Sequence, residues 1–181
     1  IAGTHGKTTT TSLVATILKS ASIDPTYIIG GIVKNLSGHA YVGEGDLFVV
    51  EADESDGTFL NLSPVVAGIT NIDFDHLDFY KTEENLIAAF EEFSNIVPFF
   101  GKMWLNYDDA FSQKISGLIK KPFGLISATF NKEIDLSISN LEEELGKISF
   151  DLFHFEENVG RVNLRLNGQH NIQNCLIAIG I

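Results

Sequence analysis

Two segments of this chain, DLFVV at 46–50 and PVVAGI at 64–69, are apolar without alternation, and they restrict the fold more than any other feature. A strand wet on one face alternates apolar and polar residues. An unbroken apolar run of this length suits a strand covered on both faces, as in a parallel sheet with helices above and below. Both runs stop at polar residues, EAD at 51–53 and TN at 70–71. In parallel α/β sheets the carboxyl ends of the strands carry the ligand site, so these polar ends are the first places to look for chemistry.

Helical periods separate the apolar runs. Residues 8–20 place Leu13, Val14, Ile17 and Leu18 at helical spacing, and 82–96 do the same with Leu86, Ala89, Phe90, Phe93 and Ile96, with Thr82 as N-cap. Further strands are predicted at TYIIGG (26–31), KMWLN (102–106) and KPFGLIS (121–127), a helix at 108–120 and a last helix from His170. DLSIS, KISFDLFHF and RVNLRL alternate and predict a small antiparallel appendage. The expected class is α/β, a mainly parallel sheet flanked by helices, in one domain spanning 1–181. The stretch 107–158 carries the least motif information. Ile1 and Ala2 read as the end of a buried strand. A chain that opens without Met, with a motif under way, reads as a piece cut at both ends from a longer protein.

A net charge of −12 opposes nonspecific binding to nucleic acid or to anionic membranes. It also means that any nucleotide site must be locally positive. No apolar run approaches the length needed to cross a bilayer. The single Cys175 excludes an intramolecular disulfide, fits a reducing cytoplasm, and reads as a buried small residue rather than a nucleophile.

Four motifs carry chemistry. GTHGKT at 3–8 lies between a strand and a helix. Its glycines let backbone N–H groups converge, the helix N-terminus adds partial positive charge, Lys7 adds a full one, and the Thr8 hydroxyl is a hard oxygen ligand. The alternative is a glycine turn that only caps a helix. The usual phosphate loop has its first glycine two residues earlier, at the place Ile1 holds here. EADESD at 51–56 crowds Glu51, Asp53, Glu54 and Asp56 at a strand end, which suits either a metal or a solvated acidic turn. TNIDFDHLD at 70–78 brings Asn71, Asp73, Asp75, His76 and Asp78 to the same edge; His76 suits either a second metal or a structural hydrogen bond. In GQHNIQN at 168–174, Asn171 and Asn174 share a helix face, matching either the donor–acceptor edge of adenine or a pair of helix-start caps.

AGTHGKTTTT, EADESDGTF, TNIDFDHLD and GQHNIQN stand in the order and spacing of the Mur ligases, and the chain resembles the central domain of that family. The short loop G-T-x-G-K-[ST] is how the family writes its phosphate site. The resemblance implies a three-domain, cytoplasmic, ATP-dependent ligase of peptidoglycan synthesis. By that resemblance Gly3, Thr4, His5, Gly6, Lys7, Thr8 and Thr9 hold ATP, with His170, Asn171 and Asn174 at the adenine. Thr8 and Glu51 bind one Mg²⁺, and Glu51 with His76 a second; Lys7, Glu51 and His76 are then the catalytic set. THGKTTTT together with EADESD resembles the members that take UDP-N-acetylmuramate and L-alanine as substrates. A ligase that recycles muropeptides by attaching a tripeptide, a more distant folylpolyglutamate synthase, and a nucleotide-binding module without ligase activity are the competing expectations.

Overall fold

The computed structural model describes residues 1–31, 36, 38–74 and 77–181. His76 and Asp75 lie outside the described residues, so the expectations placed on them have no structural counterpart here. In chain order the elements are α1 (Lys7–Ser20), β1 (Thr26–Ile28), β2 (Ala40–Tyr41), β3 (Phe48–Val50), β4 (Val66–Ile69), α2 (Leu77–Tyr80) and α3 (Glu83–Ile96). They continue with β5 (Lys102–Asn106), α4 (Ala110–Ser116), β6 (Phe123–Ser127), β7 (Leu136–Glu144), β8 (Lys147–His154), β9 (Glu157–Leu164) and α5 (Gln169–Gly180).

The strands form a three-stranded ladder, β2-β1-β3, and a six-stranded one, β4-β5-β6-β7-β8-β9. Ile1 and Ala2 join them. The Ile1 main-chain nitrogen donates to the Val50 carbonyl at 2.8 Å, and its carbonyl accepts from Ala52 at 2.8 Å. On the other side Ala2 donates to Gly68 at 2.9 Å and accepts from Thr70 at 3.1 Å. The pairing with β4 is parallel, so both ladders become one layer with the loop after Ala2 at its centre.

Pairing is parallel for β1/β3, β4/β5, β5/β6 and β6/β7, and antiparallel for β2/β1, β7/β8 and β8/β9. The antiparallel strands are therefore continuous with the main sheet. Two register pairs, Ile126 with Leu136 and Ser127 with Ser137, make the join.

Alternation along β5 shows how both faces are covered. Met103 and Leu105 pack in one cluster with Phe59, Leu86, Phe90 and Phe93, under α3. Trp104, pointing the other way, packs with Ile172, Leu176 and Ile177 of α5. Phe59, Phe90 and Phe93 are at most 1% exposed, and each such side chain contributes about 1.5–3 kcal/mol by leaving water. Thr82 caps α3 by accepting from the Asn85 N–H.

α1 starts in threonines, which are poor helix formers. Thr11, Ser12 and Thr16 turn their hydroxyls back onto the carbonyls of Lys7, Thr8 and Ser12, at 2.8, 2.6 and 2.7 Å. These hydroxyls are therefore satisfied within the helix itself, and Thr10 and Thr11 are fully buried.

Candidate functional site

The loop between Ala2 and α1 needs both of its glycines. Gly3 has a φ of 124° and Gly6 of 85°. A Cβ on Gly3 would stand 2.2 Å from the Thr70 hydroxyl and 2.8 Å from the Asn71 carbonyl; one on Gly6 would stand 2.4 Å from Asn174 Oδ1. Neither backbone angle suits an L side chain, and neither position has room for one. Gly6 is the N-cap of α1 and brings no side-chain acceptor to the first turn. That leaves the helix N-terminus as a place for an anion.

The exit of β4 clamps this loop. Thr4 donates its N–H to the Asn71 carbonyl at 3.0 Å, and His5 donates to Asn71 Oδ1 at 2.9 Å. Asn71 Nδ2 and the Thr70 hydroxyl both donate to the His5 carbonyl, at 2.9 and 2.6 Å. The Asp73 N–H donates to the Thr4 hydroxyl at 2.9 Å. Residues 70–73 thus fix the shape of the loop that would hold phosphate.

Charge gathers at the start of α1. Lys7 Nζ donates to the Gly3 carbonyl at 2.8 Å and to Glu54 Oε2 at 2.7 Å, and lies 4.0 Å from Asp53 Oδ1. The Thr8 hydroxyl lies 3.0 and 3.1 Å from the two Glu51 oxygens, and Glu51 Oε2 also accepts from the Gly30 N–H at 2.8 Å. Lys7, Ile28, Ile29, Gly30, Glu51 and Asp53 line a cavity of about 280 Å³. The structure therefore brings Lys7 and Glu51 to one cavity, with the Thr8 hydroxyl hydrogen-bonded to Glu51 at its side.

This space suits a magnesium ion carried in with phosphate. Both donors are hard oxygens. Two ligands at right angles on Mg²⁺ stand about 3 Å apart, and the Thr8 hydroxyl, which donates a hydrogen bond to Glu51 at 3.0 Å, is close enough for the two oxygens to share one ion. Among the described residues no group of three or more His, Cys, Asp or Glu could hold a metal alone. Mg²⁺ ordinarily takes one or two protein oxygens and completes its shell with water and substrate phosphate, and the two oxygens here match that habit.

α5 reaches the loop from the other side. Asn174 is buried against Gly6, and its Nδ2 donates to Asn171 Oδ1 at 3.3 Å. Asn171 Nδ2 donates to the Asn167 carbonyl at 2.7 Å. His170 is exposed and Thr9 half-buried. Of the three α5 residues, Asn174 touches the loop, while Asn171 and His170 retain surface.

Several parts of the site have no signal in the sequence pattern. Glu54 is fully buried, although it stands in a run of acids that looks solvated throughout. The Tyr80 hydroxyl donates to the Glu54 carbonyl. Burial, and after it Glu54, Asp56 and Asp53, push the Tyr80 phenol up to about 12. A second cavity of about 460 Å³ opens at the ends of β5 and β6, between Tyr107, Asp108, Ser127 and Lys132. Asp108 ties it to α5 by accepting from Gln173 at 3.1 Å and from the Ser127 hydroxyl at 2.7 Å. Cys175 is buried, and burial pushes its thiol up to about 11, which suits packing rather than nucleophilic use.

Strand, glycine loop, lysine-bearing helix and a strand-end carboxylate facing the helix define the class: an α/β domain with a glycine loop of the phosphate-loop kind at its sheet edge. The chain belongs to the Mur ligase family, whose middle-domain model matches residues 1–181. It is 45% identical over 181 residues to the UDP-N-acetylmuramate--L-alanine ligase of Endomicrobium trichonymphae, covering all of this chain and 40% of that protein. Among solved structures it resembles the UDP-N-acetylmuramate-alanine ligase MurC of Thermotoga maritima, with a TM-score of 0.83, 28% identity, and 98% of this chain and 39% of that one covered. It also resembles the UDP-N-acetylmuramate:L-alanyl-gamma-D-glutamyl-meso-diaminopimelate ligase MPL of Neisseria meningitides, with a TM-score of 0.85, 28% identity, and coverage of 98% and 58%. The chain spans about 40% of the length of the curated relative it matches. No helix among the described residues is long and apolar enough to cross a membrane.

Proposed function

We propose that residues 1–181 are the central ATP- and Mg²⁺-binding domain of a ligase that joins L-alanine to the lactyl carboxylate of UDP-N-acetylmuramate, in the cytoplasm, during peptidoglycan precursor synthesis. The observation that carries this reading is the meeting of the Thr8 hydroxyl and the Glu51 carboxylate, at 3.0 Å, beside Lys7. The name of the Endomicrobium relative, 45% identical along the whole of this chain, supports the choice of substrates.

In this reading the carboxylate of the muramate attacks the γ-phosphorus of ATP. The bond to the β-phosphate oxygen breaks and ADP leaves. The alanine amine then attacks the acyl phosphate carbon, and phosphate departs. The protein's part is positioning and charge neutralisation, which dominate phosphoryl transfer. The N–H groups at the start of α1 and the Lys7 ammonium face the phosphates. Thr8 and Glu51 would hold Mg²⁺, which when bound offsets the charge of the triphosphate. His76 is assigned to a second Mg²⁺ by family resemblance. In this reading exposed His170 and half-buried Asn171, at the start of α5, would meet the base, and Asn174 would steady the loop beneath it. The Lys7 ammonium and the N-terminus of α1 also answer the protein's own net charge of −12.

The likeness to MPL keeps a second reading in view, in which a tripeptide replaces L-alanine. Phosphate release by the full-length protein with ATP and UDP-N-acetylmuramate separates the two. L-alanine alone should sustain turnover. Release that starts only with the tripeptide L-alanyl-γ-D-glutamyl-meso-diaminopimelate would transfer the assignment to the recycling ligases. Residues 1–181 alone should bind nucleotide without ligating.

A further inference from the structure

We propose that Glu54 is the positioning residue of Lys7: its buried carboxylate fixes the ammonium before nucleotide arrives and leaves one N–H directed at the phosphate cavity. This rests on the reading of Lys7 as the phosphate-binding lysine.

Three observations carry it. Glu54 is 0% exposed, and its Oε2 lies 2.7 Å from Lys7 Nζ. The same ammonium donates to the Gly3 carbonyl at 2.8 Å. An ammonium has three donors, so these two bonds, one to the loop and one to the acidic turn, set the direction of the third. Lys7 is also part of the wall of the cavity shared with Glu51 and Gly30. Glu54 is itself anchored, since its main-chain carbonyl accepts from the Tyr80 hydroxyl and from the Gly57 N–H at 3.2 Å. Asp53 differs: its side chain is 65% exposed and 4.0 Å from Nζ, so solvent screens it.

Burying a carboxylate is costly, and an ion pair is a poor way to stabilise a core. A buried acid is a good way to orient a flexible cation. A lysine left free must lose its rotamer freedom when substrate binds; one already held does not. The pairing also dilutes the positive charge that bound nucleotide feels. Removing the charge on Glu54 should therefore leave nucleotide binding intact while the phosphoryl step suffers.

The test uses the full-length protein and the variants Glu54→Gln, Glu54→Ala and Lys7→Ala, with KM for ATP and kcat measured by ADP release. Glu54→Gln keeps the shape and should lower kcat by about tenfold or more, with KM for ATP unchanged or lower, a split that marks an interaction used in the transition state. Glu54→Ala should lower kcat further if it folds. Three results overturn the inference alone: an inactive Lys7→Ala beside a Glu54→Gln of wild-type kcat; loss of ATP affinity and turnover together in Glu54→Gln; or a Glu54→Gln that does not fold, which would assign the residue to the fold. A fully active Lys7→Ala would overturn the parent reading as well.

Discussion

Gly3 has a backbone angle of 124° and the Thr70 hydroxyl 2.2 Å from where a Cβ would sit. Gly3→Ala should lower stability by about 1–3 kcal/mol, seen as a lower unfolding midpoint in denaturant, because both strain and a steric clash follow. Tyr80 makes a pH prediction. Its folded pKa, raised to about 12 from 10.0, means the folded state resists losing the phenolic proton. That stability is fully present below pH 10 and is lost as pH rises from 10 through 12, at roughly 1.4 kcal/mol per pH unit. Tyr80→Phe should flatten this alkaline decline while lowering stability at neutral pH; an unchanged slope above pH 10 would remove the argument. At this scale the glycine loop was legible in the sequence, because G-K-T after a strand has few other uses. Glu54 was not. β3 ends at Val50, so residues 51–54 leave the strand alternation that would have told which acids face inward.

α3 shows what periodicity can say. Leu86, Ala89, Phe90, Phe93 and Ile96 were readable as one face; the first four are buried and Ile96, in the last turn, is half-buried. Thr82, read as its N-cap, accepts from the Asn85 N–H at 3.3 Å. Thr82→Ala should destabilise the chain by about 1 kcal/mol, measured by urea unfolding, the usual loss for a threonine cap. Other elements left weaker traces. β2 is two residues long, too short to alternate. The strand expected at 161–166 begins earlier, at Glu157, because β9 follows β8 through a tight turn and pairs His154 with Glu157. The parallel join of β7 to β6 rests on two register pairs, and no local pattern announces it. The helix expected at 108–120 ends at Ser116, where Gly117 is the C-cap.

For the molecule as a whole, Ile1 and Ala2 stitch two ladders into one layer and deliver the loop to its centre. The parallel order of the central strands brings the ends of Ala2, β3 and β4 to one edge, and there Lys7, Thr8 and Glu51 meet. That convergence was foreseeable from two apolar runs ending in polar residues and a glycine loop that follows the strand end at Ile1 and Ala2. The clamp on the loop by Thr70, Asn71 and Asp73 was not, since it depends on β4 lying directly beside Ala2. The cavity by Asp108 was not either, because its walls come from the stretch with the least motif content. The most direct test of the proposed phosphate and metal site is calorimetric titration of ATP into the full-length protein, with and without Mg²⁺, for the native protein and for Thr8→Val and Glu51→Gln. The native protein should bind ATP at least about tenfold more tightly with Mg²⁺ than without, and both variants should lose most of that difference, as expected when a ligand to the shared ion is removed. Variants that keep the full Mg²⁺ dependence of the native protein would contradict the site described here.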